Sequence, residues 1–345
     1  MPGTPRGSLE LRATAPEDLE RIQEFLCAVF HLQTPSRVFR AAAMRWKYFD
    51  PHPFWEGSRS YVLESGTQMA AHGCVVPIRF LTESGPVTSC CIIDWAANPA
   101  FPGAGALLYQ RLYRLTGTML GIGGSDAARK VLPRMGFQVR AELDTFVRVA
   151  RPFSLFRAKT KSDWKSTAHF GRNVARLFRP IAPVPAGWSA RRVEQFDATI
   201  NPVLPRPGAV RGAVCERSAA FLNYILACPV AAMSGFTLSN AGELAGYCVL
   251  SRSEHQSRIA DLWIASERPE DWRVAYGLAA RLALKDRDVS EVAASASEPR
   301  GRKAIQGAGL YARESMPIFL HDPKARLAGS PEVRIGALEN DFFYL

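Results

Sequence analysis

A glycine turn and two titratable side chains mark where this chain could do chemistry. Residues Ile92 to Leu115 read Ile-Ile-Asp-Trp-Ala-Ala-Asn-Pro-Ala-Phe-Pro-Gly-Ala-Gly-Ala-Leu-Leu-Tyr-Gln-Arg-Leu-Tyr-Arg-Leu. The apolar run predicts a buried strand and Asn98-Pro99 a turn. Leu107, Leu108, Leu112 and Leu115 then fall on one side of a helix. Gly103 and Gly105 let the backbone approach an anion, and the free N–H groups of the first helical turn point at it with the helix dipole behind them. Strand, glycine turn and helix start in that order build an anion site; the plainer alternative for the loop alone is an ordinary tight strand-to-helix turn. Asp94 stands on the strand, and His72 lies in the strand candidate Gln68–Phe80. Alternation puts Asp94 on the face opposite Ile93 and Trp95. A carboxylate in a half-apolar cleft can be tuned into a base, and imidazole needs no tuning. Each has a plainer alternative, a structural carboxylate paired with an arginine and a satisfied strand-end histidine.

Composition narrows the setting. The chain has 345 residues, 47% hydrophobic and 10% aromatic, enough for two globular domains. No apolar window is long enough to span a membrane, and the N-terminus lacks the apolar core of a signal peptide. The 7 cysteines are an odd, scattered set without zinc spacing, so they read as reduced core residues of a cytoplasmic protein, and no metal is expected. The net charge of +11 is concentrated. From Arg148 to Arg192 there are 11 Lys/Arg and one acid, Asp163.

Elements can be read in order. A first strand at Leu9–Ala13 precedes a helix opened by Pro16 and its acids, then a second helix around Ser36–Tyr48. Three strands follow at Ser60–Glu64, Gln68–Phe80 and Val87–Ala97. After the loop helix come a strand at Met119–Gly123, a helix at Ala127–Met135 and a last strand at Phe146–Val149. The second half echoes the first at near-constant offset: Tyr48 with Tyr224, Asp94 with Asp261, Gly136 with Gly309. A duplicated α/β unit follows. The domains expected are 1–150, a basic linker 151–187 and 188–345. In the linker Phe170, Val174, Leu177 and Phe178 form an apolar stripe beside Arg172, Arg176 and Arg179. That stripe suits either a solvated linker or peripheral contact with an anionic membrane, which would place the protein at the membrane's inner face. Interleaved exposed aromatics suited to base stacking are missing, so nucleic acid is not the expected partner.

The loop resembles the acyl-CoA loop of the GNAT (GCN5-related N-acetyltransferase) superfamily, Gln/Arg-x-x-Gly-x-Gly/Ala after a strand. Gly103 and Gly105 match its small positions, while Ala100 stands where Gln or Arg is usual. The order of elements and Gly136-Phe137 after the last helix extend the resemblance. It implies an α/β (α+β) fold of two GNAT-like domains, each a mixed, mostly antiparallel sheet flanked by helices. It further implies an acyltransferase taking acetyl-CoA as co-substrate and an amine as acceptor. Ala97, Pro102, Gly103, Ala104, Gly105, Ala106 and Ser125 would contact the cofactor, with Asp94 or His72 as base. The tyrosine many members use as general acid is Leu132 here, leaving Tyr109 or Tyr113 as other hydroxyls. Where the first copy has Gly-x-Gly, the second has Ser266-Glu-Arg-Pro-Glu-Asp271. Like charge there opposes a phosphate, so only the first copy is expected to hold CoA. Tandem acetyltransferases of bacterial surface-polysaccharide clusters are the nearest resemblance, with an amino sugar as acceptor. The rivals are a Fem-type aminoacyl ligase and a non-catalytic binding module.

Overall fold

The structure, a computed structural model, describes residues 8–153, 174, 180–206, 212–327, 330 and 332–344. Apart from Val174, the stripe expected in the linker lies outside the described residues. The first copy runs β1 (Glu10–Ala13), α1 (Leu19–Val29), α2 (Ala41–Tyr48), β2 (Ser60–Ser65), β3 (Gln68–Thr82) and β4 (Gly85–Ala97). It continues through α3 (Ala104–Thr116), β5 (Met119–Ile122) and α4 (Asp126–Val131) to β6 (Gln138–Val149). The second runs β7 (Trp188–Val193), β8 (Ala213–Cys215), α5 (Ala219–Leu226), β9 (Ala232–Asn240), β10 (Glu243–Ser253) and β11 (Gln256–Ile264). Then come α6 (Pro269–Leu284), β12 (Glu291–Ala296), α7 (Pro299–Gly307), β13 (Tyr311–His321) and a short β14 (Val333–Arg334). The order of elements repeats, as the echoes in sequence suggest.

The compact units are not cut at 150. Unit 1 comprises Met1–Phe80, Pro86–Arg140 and Ile318–Gly329; unit 2 comprises Leu81–Gly85, Ala141–Pro317 and Ser330–Leu345. The reason lies in strand pairing. In unit 1, β5 pairs antiparallel with Ile318–His321 of β13. In unit 2, β12 pairs antiparallel with Asp144–Val149 of β6. Each copy thus gives the end of its last long strand to the other unit's sheet.

Unit 1 has two apolar layers. Leu108 and Leu112 of α3 pack with Tyr61, Leu63, Val75 and Phe319. Ile22 and Leu26 of α1 and Met44 and Tyr48 of α2 pack with Val62, Cys74 and Ile93. Tyr61 and Leu63 serve one layer and Val62 the other, the period of two that a sheet covered on both faces requires.

Helix α2 is fastened by a buried arginine. Arg59, 1% exposed, donates from Nε to Lys47 O (2.7 Å), from Nη2 to Trp46 O (2.6 Å) and from Nη1 to Asp50 O (2.8 Å). A helix C-terminus leaves carbonyls unpaired and carries partial negative charge, so a guanidinium satisfies both needs. Arg59→Ala strands three carbonyls, each costing about 1–3 kcal/mol when buried and unsatisfied. The variant is expected to lose several kcal/mol by urea denaturation, and to lose far more than Arg45→Ala on the exposed side of the same helix.

Candidate functional site

The glycine loop adopts the predicted geometry. Asn98 closes a turn by accepting Ala100 N–H on Oδ1 (2.9 Å) and Phe101 N–H on its carbonyl (2.9 Å). Gly103 then caps α3 in the left-handed region (φ 83°), which favours glycine. Pro102 and Gly103 are exposed and Ala106 is half-buried, whereas Ala104 and Gly105 are buried. Of the first-turn amides, Ala104 N–H donates back to Phe101 O (3.1 Å), and those of Gly105 and Ala106 have no acceptor within the helix. The two glycines have different jobs. A Cβ on Gly103 would meet nothing within 4 Å. A Cβ on Gly105 would come to 3.1 Å from Ala97 Cβ and 3.3 Å from Trp95 Nε1. Trp95 Nε1 in turn donates to Gly105 O (3.1 Å). Gly105 lets α3 sit hard against β4, while Gly103 faces open space.

Strands β4 and β5 run parallel through only two residue pairs, Cys90–Met119 and Cys91–Leu120. Past them β4 continues towards the loop through Ile92–Ala97 without a β5 partner.

Asp94 is a correction to the expected alternation. Its backbone is left-handed (φ 51°), unusual for a non-glycine residue in a strand. The irregularity leaves Asp94 on the same side as Ile93, towards α2, and turns Trp95 into the α3 layer. The carboxylate is buried. Lys47 Nζ lies 2.5 Å from Asp94 Oδ2, with the two side chains 2% and 4% exposed, and Tyr48 Oη donates to the same oxygen at 2.8 Å. Lys47 also lies over the Phe39 and Tyr48 rings at 5.2 and 5.3 Å. The acid is buried and paired, with a lysine where an arginine was the partner expected. His72 is fully buried between Ser60 Oγ (Nε2, 2.9 Å) and Asp94 O (Nδ1, 3.0 Å). Burial pushes its imidazole down to about 4, outweighing the opposing pull of Asp94. His72 is therefore neutral near pH 7. His72 and Asp94 come together, but on the side away from α3 and its loop.

Unit 2 holds a counterpart. Asp261 Oδ2 accepts from Arg217 Nε (2.7 Å) and Tyr247 Oη (2.7 Å), and Arg217 Nη2 reaches Glu339 Oε1 (2.7 Å). The β10–β11 register shifts beside Asp261, at Val249/Leu250, so both copies place this acid at a strand irregularity.

The remaining candidates are built into the fold. Ser125 Oγ accepts Ala128 N–H (3.3 Å), capping α4. Leu132 is buried. Tyr109 is buried, donates to Leu120 O (3.3 Å) and stands edge-on to Trp95, and burial raises its hydroxyl well above the usual range. Tyr113 meets His321 edge-on, and His321 stacks on Phe137 with Nδ1 3.1 Å from Gly136 O. Sequence reasoning missed Lys47, Tyr48 and Ser60. Met44-Arg-Trp-Lys-Tyr48 was visible as a repeat, but nothing local says that its lysine is buried. Among the described residues, no group of three or more His, Cys, Asp or Glu side chains could hold a metal.

Among solved structures the fold has clear counterparts. A GCN5-related N-acetyltransferase from Anabaena variabilis matches with TM-score 0.59 at 10% identity, covering 90% of this chain and 72% of its own. The Saccharomyces cerevisiae N-myristoyltransferase with bound myristoyl-CoA matches at 0.61 and 11%, covering 93% and 84%. A tandem GNAT protein from the clavulanic acid biosynthesis pathway matches at 0.56 and 14%, covering 91% and 98%. No family model and no curated protein matches the sequence. The fold is α/β, with two GNAT-like copies of mixed sheet flanked by helices.

Two outcomes are expected of the buried cluster. Lys47→Met leaves an uncompensated buried carboxylate and should cost about 3–5 kcal/mol in urea denaturation, with Lys47→Met/Asp94→Asn recovering part of the loss. The unfolded chain protonates His72 near 6.5 and the folded one near 4, so the unfolded state binds more protons between those values. The stability His72 confers is full above pH 6.5 and lost as pH falls towards 4, a swing of roughly 3 kcal/mol for a shift of this size. The Tm of His72→Asn should therefore depend less steeply on pH in that window than the parent's.

Proposed function

We propose that this protein is an acyl-CoA-dependent N-acyltransferase whose cofactor site lies on unit 1. The observation that carries the reading is the exposed left-handed cap Gly103 at the start of α3, next to a strand that has parted from β5. Phosphates accept from first-turn amides at such a cap, and an unpartnered strand edge can hydrogen-bond an extended amide arm. The fold likeness to acetyl- and myristoyltransferases agrees with the reaction class. Acyl transfer needs a neutral amine attacking the thioester carbonyl, with the thiol leaving. Asp94 and His72 serve as positioning residues. They hold the kink of β4 that turns Trp95 towards Gly105, and neither side chain is free to take a proton from an acceptor. An amino sugar is the acceptor the family resemblance suggests, and an acceptor panel with acetyl-CoA would identify it.

The loop gives the test. Gly103→Val puts a side chain into open space at the cap, at a cost of about 1–2 kcal/mol for the left-handed backbone. Acetyl-CoA should raise the Tm of the parent and fail to raise that of Gly103→Val, which still unfolds cooperatively. An equal shift in both would remove the cofactor from this loop. If His72 only positions, His72→Asn lowers kcat without moving the inflections of the pH–rate profile.

A further inference from the structure

Unit 2 carries a feature its local sequence argues against. The acids Glu267, Glu270 and Asp271 precede or open α6, in the place of the first copy's glycine loop. In three dimensions they do not control the charge there. Asp271 is occupied, accepting from Ser266 Oγ (2.6 Å) with Arg268 4.0 Å away. An open cavity of about 430 Å³ lies at the start of α6 and of α7, lined by Arg273, Arg300 and Lys303 against the single carboxylate Glu270. Three other unit 2 arginines are ion-paired, Arg302 with Asp144, Arg313 with Glu291 and Arg252 with Asp286. Arg273, Arg300 and Lys303 have no ion-pair partner among the described residues. Three unpaired cations converging with two helix N-termini make an anion-attracting hollow.

An adjoining cavity of about 220 Å³, which Arg300 also lines, has Leu204, Trp263 and Trp272 in its wall beside Arg206 and Glu267. Trp263 is 5% exposed, and its indole N–H has no acceptor. A buried donor without a partner costs about 1–3 kcal/mol, which an acceptor on a ligand in that cavity would relieve.

We propose that unit 2 binds a phosphate ester, its phosphate held by Arg273, Arg300 and Lys303 and a carbonyl-bearing arm lying in the adjoining cavity against Trp263. This site is separate from the acyl-CoA loop of unit 1, and its test is arranged to keep the two apart. Inorganic pyrophosphate and 4′-phosphopantetheine would each be titrated calorimetrically into the full chain at an ionic strength of about 0.15 M. The background would be Gly103→Val, which silences the unit 1 loop. Binding of both is expected to persist in that background. Arg300→Ala/Lys303→Ala should weaken both by roughly tenfold or more, and Glu270→Gln should tighten both. Trp263→Phe keeps an aromatic ring, though a smaller one, and removes the donor, so it should weaken phosphopantetheine several-fold and leave pyrophosphate unchanged. No binding in the Gly103→Val background, or an unchanged affinity in a folded Arg300→Ala/Lys303→Ala variant, overturns the proposal. Either result leaves the unit 1 reading intact, because that reading rests on the acetyl-CoA shift alone.

Discussion

The buried pair of Lys47 and Asp94 fixes the geometry of unit 1. Two charges removed from water at this depth are costly, and so is a left-handed backbone at a non-glycine residue. Both persist because the surroundings over-determine them. Arg59 clamps the end of α2 and so fixes where Lys47 and Tyr48 stand. Those two hold the Asp94 carboxylate, and His72 holds its carbonyl. With Asp94 turned towards α2, Trp95 is left on the α3 side, where its N–H reaches Gly105 O. The exposed cap at Gly103 is thus set by a chain of contacts that begins on the opposite face of the sheet.

The second copy meets the same requirement with different residues. Asp261 keeps the place of Asp94, but its cation is Arg217, from the loop before α5, and its phenol is Tyr247, from β10. Glu339, from the C-terminal segment, supplies a second carboxylate to the arginine. A bidentate guanidinium can serve two acids where an ammonium serves one point. What the copies share is an acid at a strand irregularity, and that constraint is geometric. It explains why the aspartates align while the neighbouring motifs have drifted apart.

Much of this was legible because strands and helices announce themselves through local pattern. The run from Ile92 through Leu115 became β4, a turn and α3, and the echo of the halves became a repeated order of elements. The failures came from weak local pattern, from unusual backbone angles and from partners distant along the chain. Strand β6 starts at Gln138 rather than Phe146; most of its first residues are exposed, Val139 among them, and so do not read as a buried strand. The face of Asp94 was misread because alternation assumes ordinary backbone angles. Lys47 went unnoticed because lysine is rarely buried, and its carboxylate partner lies 47 residues away. The exchange of last strands was invisible for the same reason: a strand's pattern says which face is apolar, not which sheet will take it.

Charge is where sequence proximity misleads most. Glu270 and Asp271 fall in the first turn of α6, where acids stabilise the helix by meeting its positive end. Read along the chain, they make the region look hostile to phosphate. The cations that offset them, Arg300 and Lys303, stand on α7, some 29 to 33 residues further on. The two copies would then attract anions by different physics. Unit 1 presents backbone amides around a glycine cap, directional and short-ranged, whereas unit 2 presents cationic side chains. Attraction of the second kind is longer-ranged and more strongly screened by salt. Duplication followed by loss of the glycines need not abolish an anion site; it can move the donors from the backbone of one helix to the side chains of the next.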